Sequence, residues 1–343
     1  MKIIVTGGCG FIGSNLVRYL IDDLGHEVHV IDLVTYAGKS GSLSDFFGEP
    51  SFGFTEANIC NELVMGEVFD SVQPDAVLHL AAESHVDRSI DGPSAFISTN
   101  IVGTFVMLQA ARRYWESIGK RKDFRFVHVS TDEVFGSIDT GVFTRTSPYD
   151  PRSPYSASKA SSDHLARSWF HTYGLPVVVT NCSNNYGPYQ FPEKLIPRVI
   201  LCALAGDPIP VYGAGLQERD WIHVHDHCRG LEMAIGGQAG ETYLFGSGRS
   251  TPNIEVVLTI CSVLDRAKPT TRPYAEQIRF VEDRPGHDQR YCVCSDGATK
   301  IGWRPEMLFE SGIRDTVLWY LANESWWRPL VEEHGMKRDG LKR

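Results

Sequence analysis

Thr131, Asp132 and Glu133, followed downstream by Tyr155 and Lys159, are the residues of this chain best suited to chemistry. They offer a hydroxyl, two carboxylates, a phenol and an ammonium, enough to move protons to and from one substrate. Tyr155 and Lys159 stand four apart, so on a helix both side chains share a face. An ammonium beside a phenol favours the phenolate, lowering a pKa ordinarily near ~10, and a phenolate can take the proton of a substrate hydroxyl. Alone, that pair is common on exposed helices. Asp132 and Glu133 add more than an alcohol dehydrogenase needs. Adjacent carboxylates after a strand point in different directions. With one protonated by burial and the other ionised, they can act as acid and base, the division that elimination of water requires.

Chemistry of this kind needs an oxidant, and the N-terminus offers a place for one. Lys2-Ile3-Ile4-Val5-Thr6 reads as a short buried strand running into Gly7-Gly8-Cys9-Gly10-Phe11-Ile12-Gly13, after which a helix starts. Glycines there let the backbone turn sharply beside a pyrophosphate, whose charge is stabilised by free N–H groups at the helix N-terminus. A glycine cluster alone is a weak signal; strand, helix and acid together are stronger. The second strand, Glu27–Asp32, ends in a carboxylate nineteen residues after Gly13, near the ~20-residue offset at which an acid bonds the adenosine ribose. No basic residue follows Asp32 immediately to grip a 2′-phosphate, so the reading is NAD and not NADP.

Apolar strand-like runs at 27–32, 52–57, 75–80, 124–130 and 176–181 alternate with helical segments at 11–24, 94–117 and 155–173. That alternation predicts an α/β fold, a doubly wound Rossmann parallel sheet. After Asn181 the pattern is less regular, with strands at 209–212 and 220–224 and helices at 195–205 and 253–264. The expected organisation is a NAD-binding domain over 1–181, a smaller C-terminal α/β substrate-binding lobe over 182–330 with some segments returning to the first domain, and a tail over 331–343. Thr131 to Glu133 then fall beyond the carboxyl end of a strand, where open α/β sheets bind ligands.

Composition agrees with a globular enzyme. A chain of 343 residues can bury a large core. Its formal net charge of −9, without a run of lysines or arginines, argues against nucleic acid as partner. No apolar stretch approaches the ~18 residues of a bilayer span, so no membrane partner is expected. Eight cysteines lack the spacing of a disulfide framework, which points to a reduced, cytoplasmic protein. Cys292 and Cys294 read as structural thiols, and no metal site is expected.

Several further blocks carry a resemblance: the run from Ala81-Ala82-Glu83-Ser84-His85 to Ile90, the Thr131-Asp132-Glu133 loop, Ser153-Pro154-Tyr155-Ser156-Ala157-Ser158-Lys159-Ala160, Asn184-Asn185-Tyr186-Gly187-Pro188-Tyr189, Pro192-Glu193-Lys194-Leu195-Ile196-Pro197, Arg219-Asp220-Trp221 and Asp283-Arg284-Pro285-Gly286-His287-Asp288. Over nearly its whole length the chain resembles the extended short-chain dehydrogenase/reductases, and among them the dTDP-glucose 4,6-dehydratases. The resemblance implies a homodimeric, NAD-dependent lyase of deoxysugar biosynthesis acting on dTDP-glucose. In that family hydride passes from carbon 4 of the glucose to NAD and back to carbon 6, leaving a 4-keto-6-deoxy sugar. Tyr155 would be the base of the first step, with Thr131 as its hydrogen-bond partner. Glu133 would take the carbon 5 proton, and Asp132 would protonate the departing hydroxyl.

The same resemblance assigns cofactor contacts to Gly7, Gly10, Phe11, Ile12, Gly13, Asp32, Leu33, Thr35, Asn58, Ile59, Leu80, Ala81, Ala82, Thr99, Tyr155, Lys159 and Asn185. Around the nucleotide sugar it places Ser84, Thr131, Asn184, Glu193, Lys194, Leu195, Pro210, Tyr212, Arg219, Asn253, Asp283, Arg284 and His287. Arg219 matches a pyrophosphate ligand, as suits a bidentate guanidinium. Helices 94–117 and 155–173 correspond to the family's dimer helices. The chain departs from the family pattern at Asn58, Phe135, Arg145 and residues 294–303.

Other readings share the fold. A UDP-glucose 4,6-dehydratase, a 4-epimerase or a decarboxylase would use the same cofactor and Tyr–Lys pair, but an epimerase has no leaving hydroxyl for Asp132 to protonate. A non-catalytic dinucleotide-sensing module predicts a disabled Tyr155 or Lys159, and both are present. Thymine and uracil stay open at this level, since one methyl group is worth about 1–3 kcal/mol in a pocket.

Overall fold

The computed structural model describes residues 1–35, 40–283 and 288–335. Its strands are β1 (Lys2–Thr6), β2 (Glu27–Asp32), β3 (Phe52–Glu56), β4 (Ala76–His79), β5 (Arg125–Thr131), β6 (Val177–Cys182), β7 (Asn184–Tyr186), β8 (Ile209–Tyr212), β9 (Glu218–His223), β10 (Thr242–Phe245), β11 (Ser250–Pro252) and β12 (Ile278–Val281). Seven of them form one sheet in the order β10-β6-β5-β4-β1-β2-β3, and every pairing in it is parallel. From β3 to β6 this is the doubly wound dinucleotide-binding order.

Both faces of the sheet are covered, which is why its strands are apolar almost throughout. Ile3 and Val5 pack on one side with Leu16, Val17, Cys228 and Leu231, from helices Phe11–Arg18 and Val224–Ile235. Ile4 and Val77 pack on the other side with Met65, Val106, Met107 and Ala166. The period-two alternation of one strand thus feeds two helical layers.

The helix Pro154–Tyr173 begins where its sequence dictates. Ser153 caps it, its hydroxyl accepting from the Ser156 N–H while the Ser156 hydroxyl accepts from the Ser153 N–H, and Pro154 fills the first helical position. Gly174, at φ 75°, ends it.

Residues beyond Asn181 contain more helix than the sequence reading recognised. Val224–Ile235 packs on the main sheet, and Phe309–Ala322 and Glu324–His334 close the chain. The lobe around them holds the three-stranded sheet β11-β9-β7 and the pair β12-β8. Its core gathers Ile196, Ile200, Val256, Ile260, Val317 and Tyr320. β10 returns to the edge of the large sheet beside β6. Residues 336–343, most of the segment read as a tail, lie outside the described residues.

The expectation that nothing approaches a bilayer-spanning length is corrected at one helix. Pro93–Ser117, 25 residues long with a mean hydropathy of 1.3 in its most apolar window, meets that criterion by length and composition. Half of that window is buried, with Val106, Met107, Leu108, Ala110 and Ala111 in the core. Polar residues interrupt the run on the inward face too, where buried Asn100 bonds Glu83 and Ser158.

Candidate active site

The mouth of the sheet is fixed by backbone that only glycine allows. Gly7 sits at φ +72°, and a Cβ there would lie 2.8 Å from the Ala81 Cα; one on Gly13 would lie 2.1 Å from the Gly7 carbonyl oxygen. Thr6 ties the same two strands together. Its hydroxyl accepts from the Ala81 N–H (3.0 Å) and meets His79 Nδ1 at 2.7 Å, while His79 Nε2 meets the Thr104 hydroxyl at 3.1 Å. Burial holds the His79 imidazole well below its ordinary pKa, so it stays a neutral strut. Gly10 precedes the helix Phe11–Arg18 without a side-chain cap, leaving first-turn N–H groups available to an anion.

This cradle fits a dinucleotide. The Asp32 carboxylate accepts from the N–H groups of Cys9 (2.9 Å) and Val34 (2.8 Å) and sits at the rim of one long cavity. All seventeen residues that the resemblance assigned to the cofactor line that cavity: Gly7, Gly10, Phe11, Ile12, Gly13, Asp32, Leu33, Thr35, Asn58, Ile59, Leu80, Ala81, Ala82, Thr99, Tyr155, Lys159 and Asn185. Buried polar atoms without a partner cluster on its wall, among them Ser130 Oγ, Asp132 Oδ2, Ser183 Oγ, Asn184 Oδ1 and Gln190 Oε1. Buried polar groups are nearly always satisfied, so these are atoms that a ligand or water in the cavity can bond.

The five chemistry-bearing residues meet in the same cavity. Thr131 is the last residue of β5, not the first beyond it, and caps the turn Asp132–Phe135 by accepting from the Glu133 N–H at 3.3 Å. The turn sends the two carboxylates apart. Asp132 goes inward, 2 % exposed, with the Thr131 hydroxyl 3.3 Å from its Oδ1. Glu133 is half-buried and lines both this cavity and its neighbour. Burial, reinforced by the charges of Glu133 and Asp220, pushes the Asp132 carboxyl well above the usual carboxylate range, with Arg219 opposing. That shift favours its protonated form.

Tyr155 departs from the expectation. Burial and the charge of Glu133 push its phenol well above its ordinary pKa, with only a Thr131 hydrogen bond working the other way. Lys159 does not reverse this. Its ammonium donates to the Val129 carbonyl at 2.8 Å, and burial lowers its own pKa against the attraction of Asp163.

The substrate side adjoins this cavity through Glu133, Asn184, Asn185, Gln190, Glu193 and Lys194, which line both spaces. Leu195, Pro210, Tyr212, Arg219 and Asn253 line the second cavity, and Ser84 and Thr131 the first. Arg219 is held by the backbone carbonyls of Glu218 (2.8 Å) and Asp288 (2.9 Å) and stacks over the Tyr291 ring. His85 Nδ1 accepts from the Arg88 N–H at 3.2 Å, so its Nε2 carries the proton that faces Glu193, 3.2 Å away. Burial works against the Glu193 charge, but that bond and Lys194 hold its carboxyl below the usual range.

Asp283 accepts from Gln217 at 2.5 Å and lies outside both cavity walls. Arg284 and His287 lie outside the described residues. The sequence reading did not single out Glu83, His85, Cys182, Ser183, Gln190, Phe191, Arg198 or Trp221 as lining residues. Glu83, His85 and Trp221 lie inside the blocks that carry the resemblance, and Gln190 and Phe191 lie between two of them, and that position was the available signal. Of the departures, Asn58 accepts from the Cys60 N–H at 2.9 Å, Phe135 stacks on Phe143 at 5.3 Å, and Arg145 pairs with Glu241 at the surface.

A parallel sheet with a glycine cradle at its carboxyl end, and a threonine, tyrosine and lysine set beside it, defines an extended short-chain dehydrogenase/reductase. The model of the family described as GDP-mannose 4,6 dehydratase matches residues 4–316. A dTDP-glucose 4,6-dehydratase from Shigella flexneri is 55% identical over 340 residues, covering 95% of this chain and 94% of its own. The chain belongs to this dehydratase family. Among solved structures, the dTDP-glucose 4,6-dehydratase from Streptomyces venezuelae with NAD bound superposes with a TM-score of 0.88 at 44% identity, over 96% of this chain and 100% of that one. The UDP-glucose 4-epimerase of Thermus thermophilus, also complexed with NAD, reaches 0.83 at 27% identity, over 94% and 100%. The backbone alone therefore does not separate dehydration from epimerisation.

Proposed function

We propose that this chain is an NAD-dependent hydro-lyase that converts dTDP-glucose to dTDP-4-keto-6-deoxyglucose with loss of water. The observation that carries the reading is Asp132, a carboxyl buried in the cavity wall and pushed toward its protonated form by that burial, one residue from Glu133 at the junction of the two cavities. An epimerase has no use for such an acid. Bound NAD supplies the chemistry of accepting hydride from carbon 4 and returning it to carbon 6. Gly7 to Gly13 and Asp32 would hold its pyrophosphate and adenosine ribose.

The chain's own residues do the rest. Tyr155, bonded by Thr131, takes the proton of the carbon 4 hydroxyl. The resulting ketone acidifies carbon 5, whose proton passes to Glu133. Asp132 gives its proton to the carbon 6 hydroxyl, which leaves as water, and the electron pair freed at carbon 5 forms the new double bond; when carbon 6 receives hydride, Glu133 returns a proton to carbon 5. Arg219 faces the sugar nucleotide from the second cavity as a diphosphate partner. Residues 1–181 would serve mainly the cofactor and 182–330 mainly the nucleotide sugar.

Incubation with dTDP-, UDP-, GDP- and CDP-glucose, scored for keto-sugar, tests the reading. Keto-sugar from dTDP-glucose above the other three is expected; epimerised hexose without keto product would reject it. The eight cysteines are all free, as suits a reducing cytoplasm. A homodimer through the helices Pro93–Ser117 and Pro154–Tyr173 is part of the proposal, supported by exposed Ile97, Val102 and Tyr173 on them. Sedimentation showing only monomer would remove it.

A further inference from the structure

The segment 188–191 forms part of the dinucleotide cavity wall through Gln190 and Phe191, yet it is held from behind by residues far from the reacting atoms. On the Rossmann side, Asn15 donates to the Pro188 carbonyl at 2.9 Å. Arg18, from the helix that opens with the glycine cradle, lies between the rings of Tyr189 (4.9 Å) and Phe46 (5.1 Å), paired with Asp45. On the C-terminal side, Trp319 packs on Tyr189 at 4.7 Å, and the fully buried Tyr320 hydroxyl donates to the Gln190 carbonyl. Trp326 completes the closure. Its ring meets Tyr189 at 5.4 Å and Trp319 at 5.2 Å, and its indole N–H meets the Ser42 hydroxyl at 3.2 Å. Ser42 belongs to the segment Ser40–Phe46, which follows the cavity residues Asp32, Leu33 and Thr35.

We propose that the C-terminal helices Phe309–Ala322 and Glu324–His334 form a retention latch for the dinucleotide, with Trp326 as its principal positioning residue. The latch rests on the NAD reading above and deepens it. The latch acts if a dinucleotide leaves by parting the 188–191 wall from the glycine-cradle helix, both of which line its cavity. Trp326 opposes that movement by joining three pieces at once: the wall at Tyr189, the Ser40–Phe46 segment at Ser42, and the preceding helix at Trp319. Its contacts number several rings and one hydrogen bond, none of them to a residue that transfers a proton. A reaction that leaves its cofactor oxidised at the end of each cycle gains from slow release, because a lost dinucleotide has to be recaptured before the next turnover.

The test uses the full chain loaded with NAD+, desalted, and sampled over time for NAD+ released into the filtrate. Trp326→Ala is expected to release it about tenfold faster than the wild type, the loss of roughly one bonded aromatic contact. Trp326→Phe, which keeps the ring stacking, should fall between the two. Ser42→Ala removes only the hydroxyl that the indole meets and should accelerate release by about threefold. Activity of desalted Trp326→Ala should fall with time and return on adding NAD+. A folded Trp326→Ala that releases NAD+ as slowly as the wild type overturns the latch. If Trp326→Ala does not fold, wild-type release from Ser42→Ala overturns it instead. A wild-type chain that neither carries nor takes up any pyridine dinucleotide sinks the NAD reading itself, a result distinct from both.

Discussion

Tyr155→Phe lowers the rate of the first oxidation by about 10²–10⁴-fold, the range for loss of a positioned general base. The substitution keeps the ring where it is. Tyr155 is 8 % exposed and meets the edge of Phe96 at 6.3 Å, so a phenyl group fills the same space and only the hydroxyl is lost. NAD+ binding, followed by protein fluorescence, should survive, which separates a chemical defect from an empty cavity. The pH profile gives a second check. Because burial and Glu133 push the phenol upward, little phenolate is present at neutral pH in the free protein. Its fraction grows about tenfold per pH unit until the pKa is reached. The positive charge of an oxidised nicotinamide favours the phenolate and brings that pKa down in the complex. The wild-type oxidation rate therefore rises with pH and then levels, whereas the residual rate of Tyr155→Phe is flat. Wild-type rates in the variant would assign the base to another group.

Asp132→Asn leaves the first oxidation intact and stops the reaction after it. Asparagine has the shape of the protonated acid but cannot give a proton to the leaving hydroxyl, so turnover falls by about 10²–10⁴-fold and NADH absorbance accumulates with substrate. Unchanged turnover would discard the acid. In the wild type the sign of the pH effect is fixed by the raised pKa of Asp132: dehydration is supported while the carboxyl is protonated and declines as pH climbs through that value. Glu133→Gln fails one step earlier in proton transfer. Solvent deuterium should no longer enter carbon 5, and normal incorporation would remove Glu133 as the base. Together the two variants separate acid from base in a pair that adjacent numbering cannot tell apart.

Local rules made much of this protein legible. Strand β1, the glycines at 7, 10 and 13 and the acid at 32 are one continuous stretch, and each follows from steric or hydrogen-bonding constraints within a few residues. The Ser153-Pro154 start of the Tyr155 helix is likewise a capping signal confined to one turn. The roles of Asp132 and Glu133 were partly legible, as two carboxylates able to divide the work. Which one is pushed toward its protonated form was not. That depends on burial and on Asp220 and Arg219, nearly ninety positions away and brought close only by the fold.

The same limit explains the phenol. Four-residue spacing puts Lys159 on the Tyr155 face of a helix, where the ammonium turns into the sheet to reach Val129, but the upward push on the phenol comes first from burial and then from Glu133, which spacing does not reveal. The return of β10 to the sheet, the packing of Val224–Ile235 beneath it, and the C-terminal helices behind Tyr189 belong to tertiary structure as well. The sequence by itself determined the cradle, the reactive set and the doubly wound class, because those rest on backbone sterics and short-range periodicity. Only the folded chain decided the protonation states and the wall that encloses the cofactor site, because desolvation and charge add up over neighbours drawn from every part of the chain.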